Sequence, residues 1–179
     1  GSLTLRKNIE RGLRAFGRLR PQFPELRFVL AGPRSWKQTP VEAIVQELDL
    51  VGVVQMTGPL TDTDLPALYS AADLFVFPSL YEGFGLPPLE AMACGAPVVC
   101  SNSSSLPEVV GDAAVTVDPY DVEALAQAMH RVLSDGNLRD ELRAKGLARA
   151  AQFTWERTAQ ETMKVYQEVL GEGRRGTGG

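Results

Sequence analysis

Short apolar runs alternate with amphipathic stretches along most of the chain. Leu5, Ile9, Leu13 and Phe16 recur at helical spacing, with Lys7, Arg11, Arg14 and Arg18 on another face, which predicts a helix over residues 6–20. Residues 26–30 read as a strand stopped by Gly32-Pro33, residues 39–48 as a helix, and residues 51–56 as a strand ending at Gly58-Pro59. Asp62 is placed to cap a helix running to Ala71, and residues 74–77 form a buried strand closed by Pro78. Pro87 and Pro88 suit the first turn of a helix that ends near Gly95. Residues 97–100 then form a strand, 101–105 a polar loop and 113–117 the last strand. Three helices close the chain. One starts at Asp121 with Val122, Leu125, Ala126, Met129 and Leu133 as its apolar stripe, one covers residues 138–150, and one follows Thr154. On the last, Trp155, Ala159, Met163, Tyr166 and Leu170 share a face suited to core or interdomain packing. The alternation, with near-continuous apolar strands, predicts an α/β fold: a parallel sheet covered by helices on both faces. Ligands of such sheets bind beyond the carboxyl ends of the strands, where Gly32, Gly58 and residues 79–86 and 101–105 fall.

Composition narrows the options. A chain of 179 residues is of single-domain size, assigned here to residues 1–170, with GEGRRGTGG from Gly171 as a flexible tail. The net charge of −4 offers no field to nucleic acid or to an anionic bilayer, so local groups must hold any anionic ligand. Cys94 and Cys100 lie in apolar surroundings without zinc-ligand spacing and read as small buried hydrophobes, which suits a reducing, cytoplasmic setting. His130, the only histidine, lies on a helical pattern, so neither histidine catalysis nor a multi-histidine metal site is expected, and no metal or cofactor is assigned. No stretch reads as a membrane span or a signal peptide, which leaves peripheral contact as the one membrane role open.

The candidate chemistry lies in SLYEGFGLPPLEAMACGAPVVCS, residues 79–101. Glu82 sits in a glycine-rich turn and Glu90 in the apolar run after two prolines. Gly83 and Gly85 allow close backbone approach to a ligand and positive φ at little cost. The helix beginning near Pro87 turns its positive end back on that turn, a ready diphosphate cradle without a basic cluster. Glu82 then faces whatever lies beyond the phosphates, and Glu90 can accept hydrogen bonds from two adjacent hydroxyls. Two carboxylates beside a phosphate nest call for a ligand rich in hydroxyl donors, such as a sugar nucleotide. The plainer alternative, a tight loop and a helix with a surface glutamate, leaves the agreement of turn, prolines and both carboxylates without a cause. By contrast, the basic stripe beyond Lys7 reads as a solvated helix face, and residues 101–105 as serines satisfying their own backbone.

EGFGLPPLEAMACGAPVV closely resembles the signature of the family-4-type (group 1) retaining glycosyltransferases, and Glu82 and Glu90 match that family's two glutamates. LRKNIERGLRAF, LRFVLAGPRSW, VVQMTGPLTDTDLPALYSAADLFVFPS, SSSLPEVVGDAAVTVDP and FTWERTA extend the resemblance over nearly the whole chain. It implies the Rossmann-like carboxyl-terminal, donor-binding half of a GT-B fold. In that half Glu90 would bind the ribose hydroxyls and Glu82 the transferred sugar. The backbone around Gly83, Phe84, Gly85 and Leu86 would meet sugar and phosphates, Lys7 would bind phosphate, and Leu60 would lie against the base. Ser2 stands where some members carry an arginine; either diphosphate neutralisation is weaker or Arg6 substitutes. The GPRSW and RKN patterns are similar to members that use GDP-mannose, with UDP-linked donors the other option.

By the same resemblance Gly1 matches the end of a first, central strand. Residues 26–30 and 74–77 would then face an open position in the sheet, and the acceptor-binding amino-terminal domain would lie outside this chain. The chain therefore reads as a fragment, marginal and without transferase activity alone. A non-catalytic module that keeps the fold and binds a nucleotide or a partner is the alternative. A dinucleotide oxidoreductase is not, because no G-x-G-x-x-G follows the first predicted strand.

Overall fold

The computed structural model describes residues 4–33 and 41–175, with side-chain surroundings through residue 170. Within them five strands and eight helices alternate: α1 Ile9–Leu19, β1 Phe28–Ala31, α2 Val41–Glu47, β2 Val54–Gly58, α3 Asp64–Ala71, β3 Phe75–Phe77, α4 Leu86–Ala93, β4 Val98–Ser101, α5 Leu106–Val110, β5 Val115–Val117, α6 Val122–Ser134, α7 Gly136–Ala150 and α8 Trp155–Arg175. All strand pairs are parallel: β1 with β2, and β3, β4 and β5 in that order.

The apolar runs form buried strands because both faces are covered. On β4, Val99 joins a cluster built from Leu13 and Phe16 of α1, Leu125, Met129 and Val132 of α6, and Leu50. Its neighbours Val98 and Cys100 point the other way, into a cluster with Met92 of α4 and Leu106, Val109 and Val110 of α5.

β1 and β3 do not pair, as the expected open position between residues 26–30 and 74–77 requires. Their edges border a slot of about 470 Å³, lined without interruption by residues 25–31 on one side and 71–78 on the other. Successive side chains of a strand face opposite ways, so an unbroken lining means that the backbone edges themselves bound the slot. Ile9, Gly12 and Phe16 of α1 and Met129 and Leu133 of α6 also line it.

Several boundaries differ from the sequence expectations, each for a local reason. The helix expected over residues 6–20 is two elements, a 3-10 turn at Leu5–Lys7 and α1, because Asn8 between them is left-handed at φ 56°. Residues 51–53 form a turn before β2, which extends to Gly58. Asp62 does not cap α3; the Asp64 N–H is taken instead by the Thr61 hydroxyl at 3.2 Å. The five-residue α5 lies between the expected loop of residues 101–105 and the expected last strand, where no element was expected. The start of the helix expected at Thr39, the Arg34-Ser35-Trp36 motif, Ser2 and Gly1 lie outside the described residues. Arg14 pairs with Glu10 and Glu47, and Arg18 with Glu123, as expected of a solvated helix face.

The stripe on α8 does not join the core. Trp155, Met163, Tyr166 and Leu170 are exposed, Trp155 to 79%, since no other described element covers this helix. α8 continues through Arg175, into the stretch expected as a tail.

Candidate functional site

The loop after β3 crosses the carboxyl end of the three-stranded sheet and turns into α4 at Gly85. That glycine has φ 123°, and a Cβ there would lie 2.9 Å from Leu106 Cδ2, so both the conformation and the packing require glycine. Gly83 differs from expectation: it is exposed, takes no positive φ, and has open space around its Cα.

Three serines at the start of the next βα connection hold this loop. Ser103 Oγ donates to the carbonyls of Ser79 (3.3 Å) and Leu80 (3.1 Å), and Ser105 Oγ to those of Glu82 (3.1 Å) and Phe84. Ser104 Oγ accepts the Glu82 N–H at 3.0 Å. These serines bind a neighbouring loop, not their own backbone as expected from sequence. The Leu80 N–H donates to the Arg6 carbonyl at 2.9 Å, which ties the loop to the turn before α1.

That tie brings Arg6, Lys7 and Glu82 together across more than seventy residues of sequence. Lys7 Nζ stands 2.7 Å from Glu82 Oε1, and Arg6 donates at 2.7 Å to Glu82 Oε2 and at 2.8 Å to the Tyr81 carbonyl. Lys7 also lies over the Phe77 ring, 4.5 Å from its centroid. Burial pushes the Glu82 carboxyl up, but hydrogen bonding from Lys7 and Arg6, with the polar Ser79 hydroxyl nearby, outweighs it and holds the group below its ordinary value. Glu82 is therefore a buried carboxylate at neutral pH, bracketed by two cations, and the trio carries a net positive charge.

Glu90 occupies a separate environment. It is exposed on α4 and accepts a hydrogen bond of 3.1 Å from the buried Tyr69 hydroxyl on α3. Burial, with the negative charge of Glu90 added, raises the Tyr69 pKa, so the phenol keeps its proton and acts as the donor. Pro87 and Pro88 remove two of the first N–H groups of α4, so Leu86 supplies the free amide at N1. An anion here would meet loop amides at residues 83–86 more than helix amides.

Phe84 is exposed and contacts Phe153 edge to face, with centroids 5.9 Å apart; Leu86 is exposed beside it. Leu60, half-buried after β2, takes no part in the network around Glu82. Sequence reasoning passed over Tyr69, took the clamp serines to satisfy their own backbone, and passed over Asn8. The first is a tyrosine inside a helical pattern, the second is visible only once two loops are adjacent, and the third is an Asn at a helix start.

Comparisons with known proteins place the chain in a family and a fold. The profile of glycosyl transferases group 1 matches residues 1–149. O-antigen chain mannosyltransferase B of Escherichia coli is 46% identical over 169 residues, which cover 93% of this chain but 44% of that protein. The chain thus spans less than half the length of this relative. Among solved structures, sucrose-phosphate synthase from Thermosynechococcus elongatus matches with a TM-score of 0.82 at 33% identity, over 93% of this chain and 43% of that one. Anabaena HepE in complex with UDP and glucose matches with a TM-score of 0.83 at 24% identity, over 94% and 47% of the two chains. The fold is that of the carboxyl-terminal half of GT-B enzymes. Its turn-and-helix edge, with a buried Glu82 between Arg6 and Lys7, sits in a chain that belongs to the group 1 glycosyltransferases.

Proposed function

We propose that residues 1–170 are the donor-binding domain of a retaining hexosyltransferase that uses a nucleotide-diphosphate sugar, with mannose as the favoured sugar. The observation that carries this reading is the pairing of Arg6 and Lys7 with a buried, ionised Glu82 at the carboxyl edge of the sheet. Two cations held there can neutralise a diphosphate, and a carboxylate between them can accept hydrogen bonds from sugar hydroxyls. The mannosyltransferase name of the Escherichia coli relative supports the sugar, and the UDP complex of HepE supports a nucleotide-linked donor.

In this reading Lys7 and Arg6 bind the diphosphate, assisted by amides of Gly83, Phe84, Gly85 and Leu86, with no metal assigned to the site. Glu82 positions the transferred sugar, Glu90 takes the ribose hydroxyls, and Leu60 borders the base. The bond from the anomeric carbon to the diphosphate oxygen breaks as the bond to the acceptor oxygen forms on the same face. The acceptor proton passes to the departing phosphate. Lys7 and Arg6 meet the negative charge growing on that leaving group, and the acceptor is held by a domain outside this chain. The protein acts in the cytoplasm, and this segment alone does not transfer sugar.

The test is turnover by the intact protein with a panel of UDP-, GDP- and ADP-sugars. Lys7→Ala is expected to lower kcat about 100-fold or more, the usual cost of removing a charge-stabilising donor, and Glu82→Gln, which removes the carboxylate that positions the sugar, to lower kcat by a comparable factor. Glu90→Ala is expected to act chiefly on donor affinity. Near-normal turnover in both Glu82→Gln and Lys7→Ala would overturn the assignment.

A further inference from the structure

We infer that Asn8 is a positioning residue that locks the Arg6-Lys7 turn in place for diphosphate binding. The inference rests on the assignment of Arg6 and Lys7 to the diphosphate.

Asn8 is 4% exposed and left-handed, with φ 56° and ψ 36°, a conformation that Asn and Gly adopt more readily than other residues. Its two amide hydrogens are both committed: Nδ2 donates to the Pro78 carbonyl at 2.9 Å and to the Pro119 carbonyl at 2.7 Å. Pro78 follows β3 and Pro119 lies just past β5, so one side chain ties the turn to both outer strands of the three-stranded sheet. Its Oδ1 accepts from Arg11 at 2.8 Å, which fixes which way the amide faces. With the bond from Leu80 N–H to the Arg6 carbonyl, the turn is anchored on either side of Lys7. The left-handed residue also ends the 3-10 turn, so that Lys7 leaves the line of α1 and reaches Glu82. Neither proline carbonyl could be left unpaired cheaply, which gives the latch a stiffness that a lysine on a continuous helix would lack.

Glycine at this position keeps the backbone conformation available and removes only the latch. The experiment titrates GDP, GMP, UDP and UMP into the intact protein and into its Asn8→Gly and Lys7→Ala variants, with thermal unfolding recorded for each. Asn8→Gly is expected to weaken the preferred nucleoside diphosphate about tenfold and leave its monophosphate unchanged, since a displaced Lys7 forfeits one charge-assisted hydrogen bond to the diphosphate. Lys7→Ala should lose the same discrimination. If Lys7→Ala loses it and Asn8→Gly keeps it, the latch is overturned while the site assignment stands. If Lys7→Ala keeps it, the site assignment fails and the latch with it. Should Asn8→Gly not unfold cooperatively, Asn8→Asp, which tolerates the same φ and lacks the two donors, carries the comparison. Equal weakening of mono- and diphosphates in these variants would mark a purely structural residue and overturn the proposal.

Discussion

The two half-sheets on either side of the slot are both parallel, yet they are built to different standards. In the three-stranded half, all four residues of β4 are buried, with α1 and α6 against one face and α4 and α5 against the other. In the two-stranded half, Val29 of β1 is 37% exposed and alternate residues of β2 face solvent. The network around Glu82 hangs from the buried half, with Arg6 and Lys7 delivered to it by the turn before α1. Burying a carboxylate is tolerable only while its partners stay at hydrogen-bond distance, so the ion-paired trio needs the stiffer support. Among the described residues, the two-stranded half brings strand-end backbone to the carboxyl edge, such as the Gly32 N–H to Gly58 carbonyl bond, and the half-buried Leu60, which lies outside the network around Glu82.

The sharpest way to break this contrast is at Gly85, where the buried half meets the loop. Gly85→Ala adds a Cβ 2.9 Å from Leu106 Cδ2 and forces alanine to φ 123°. Strain and overpacking together should cost about 3 kcal/mol, measured by urea unfolding of the intact protein. A change near zero would mean that the loop yields freely and is not a rigid mount for Glu82.

A matched pair of truncations tests the contrast directly. Val99→Ala, at a site with no exposure, should lose about 2 kcal/mol, as two buried methyl groups are removed. Val29→Ala, at the partly exposed position of β1, should lose only about 0.5 kcal/mol. Equal losses would show that the two halves are equally packed.

The same contrast governs what could be read from sequence. The runs that became β3 and β4 were legible because strands covered on both faces are apolar throughout, and the carboxyl edge followed from parallel topology. The boundaries of β2 were less so, since an exposed face blurs the run into the turn before it. Periodicity cannot see a single left-handed residue, so Leu5 and Ile9 suggested one helix where Asn8 breaks it. The bond from Tyr69 to Glu90 and the serine clamp are long-range pairings between side chains that each look ordinary alone. On α8 the periodicity that suggested core or interdomain packing marks an apolar face that no described element covers, because periodicity reports a face and not a partner.

The smallest expected effect concerns acid, and it probes the trio without disturbing the strands. Glu82 has a folded-state pKa below its ordinary value, despite the opposing effect of burial, because of Lys7, Ser79 and Arg6. Such a group contributes stability that is fully present above the ordinary glutamate range of about 4.3 and is lost as pH falls through the lower folded-state value. The stability difference between the wild-type protein and Glu82→Gln should therefore be flat from neutral pH down to about 5 and narrow below that. Chemical unfolding of both proteins at a series of pH values reads it. In the variant, Lys7 and Arg6 lack their counter-charge at every pH, so its own profile should be the flatter of the two through this window. A difference that stays constant into strong acid would mean that Glu82 gains nothing from its two cations, and the buried half would then lose its claim to hold a charged site in register.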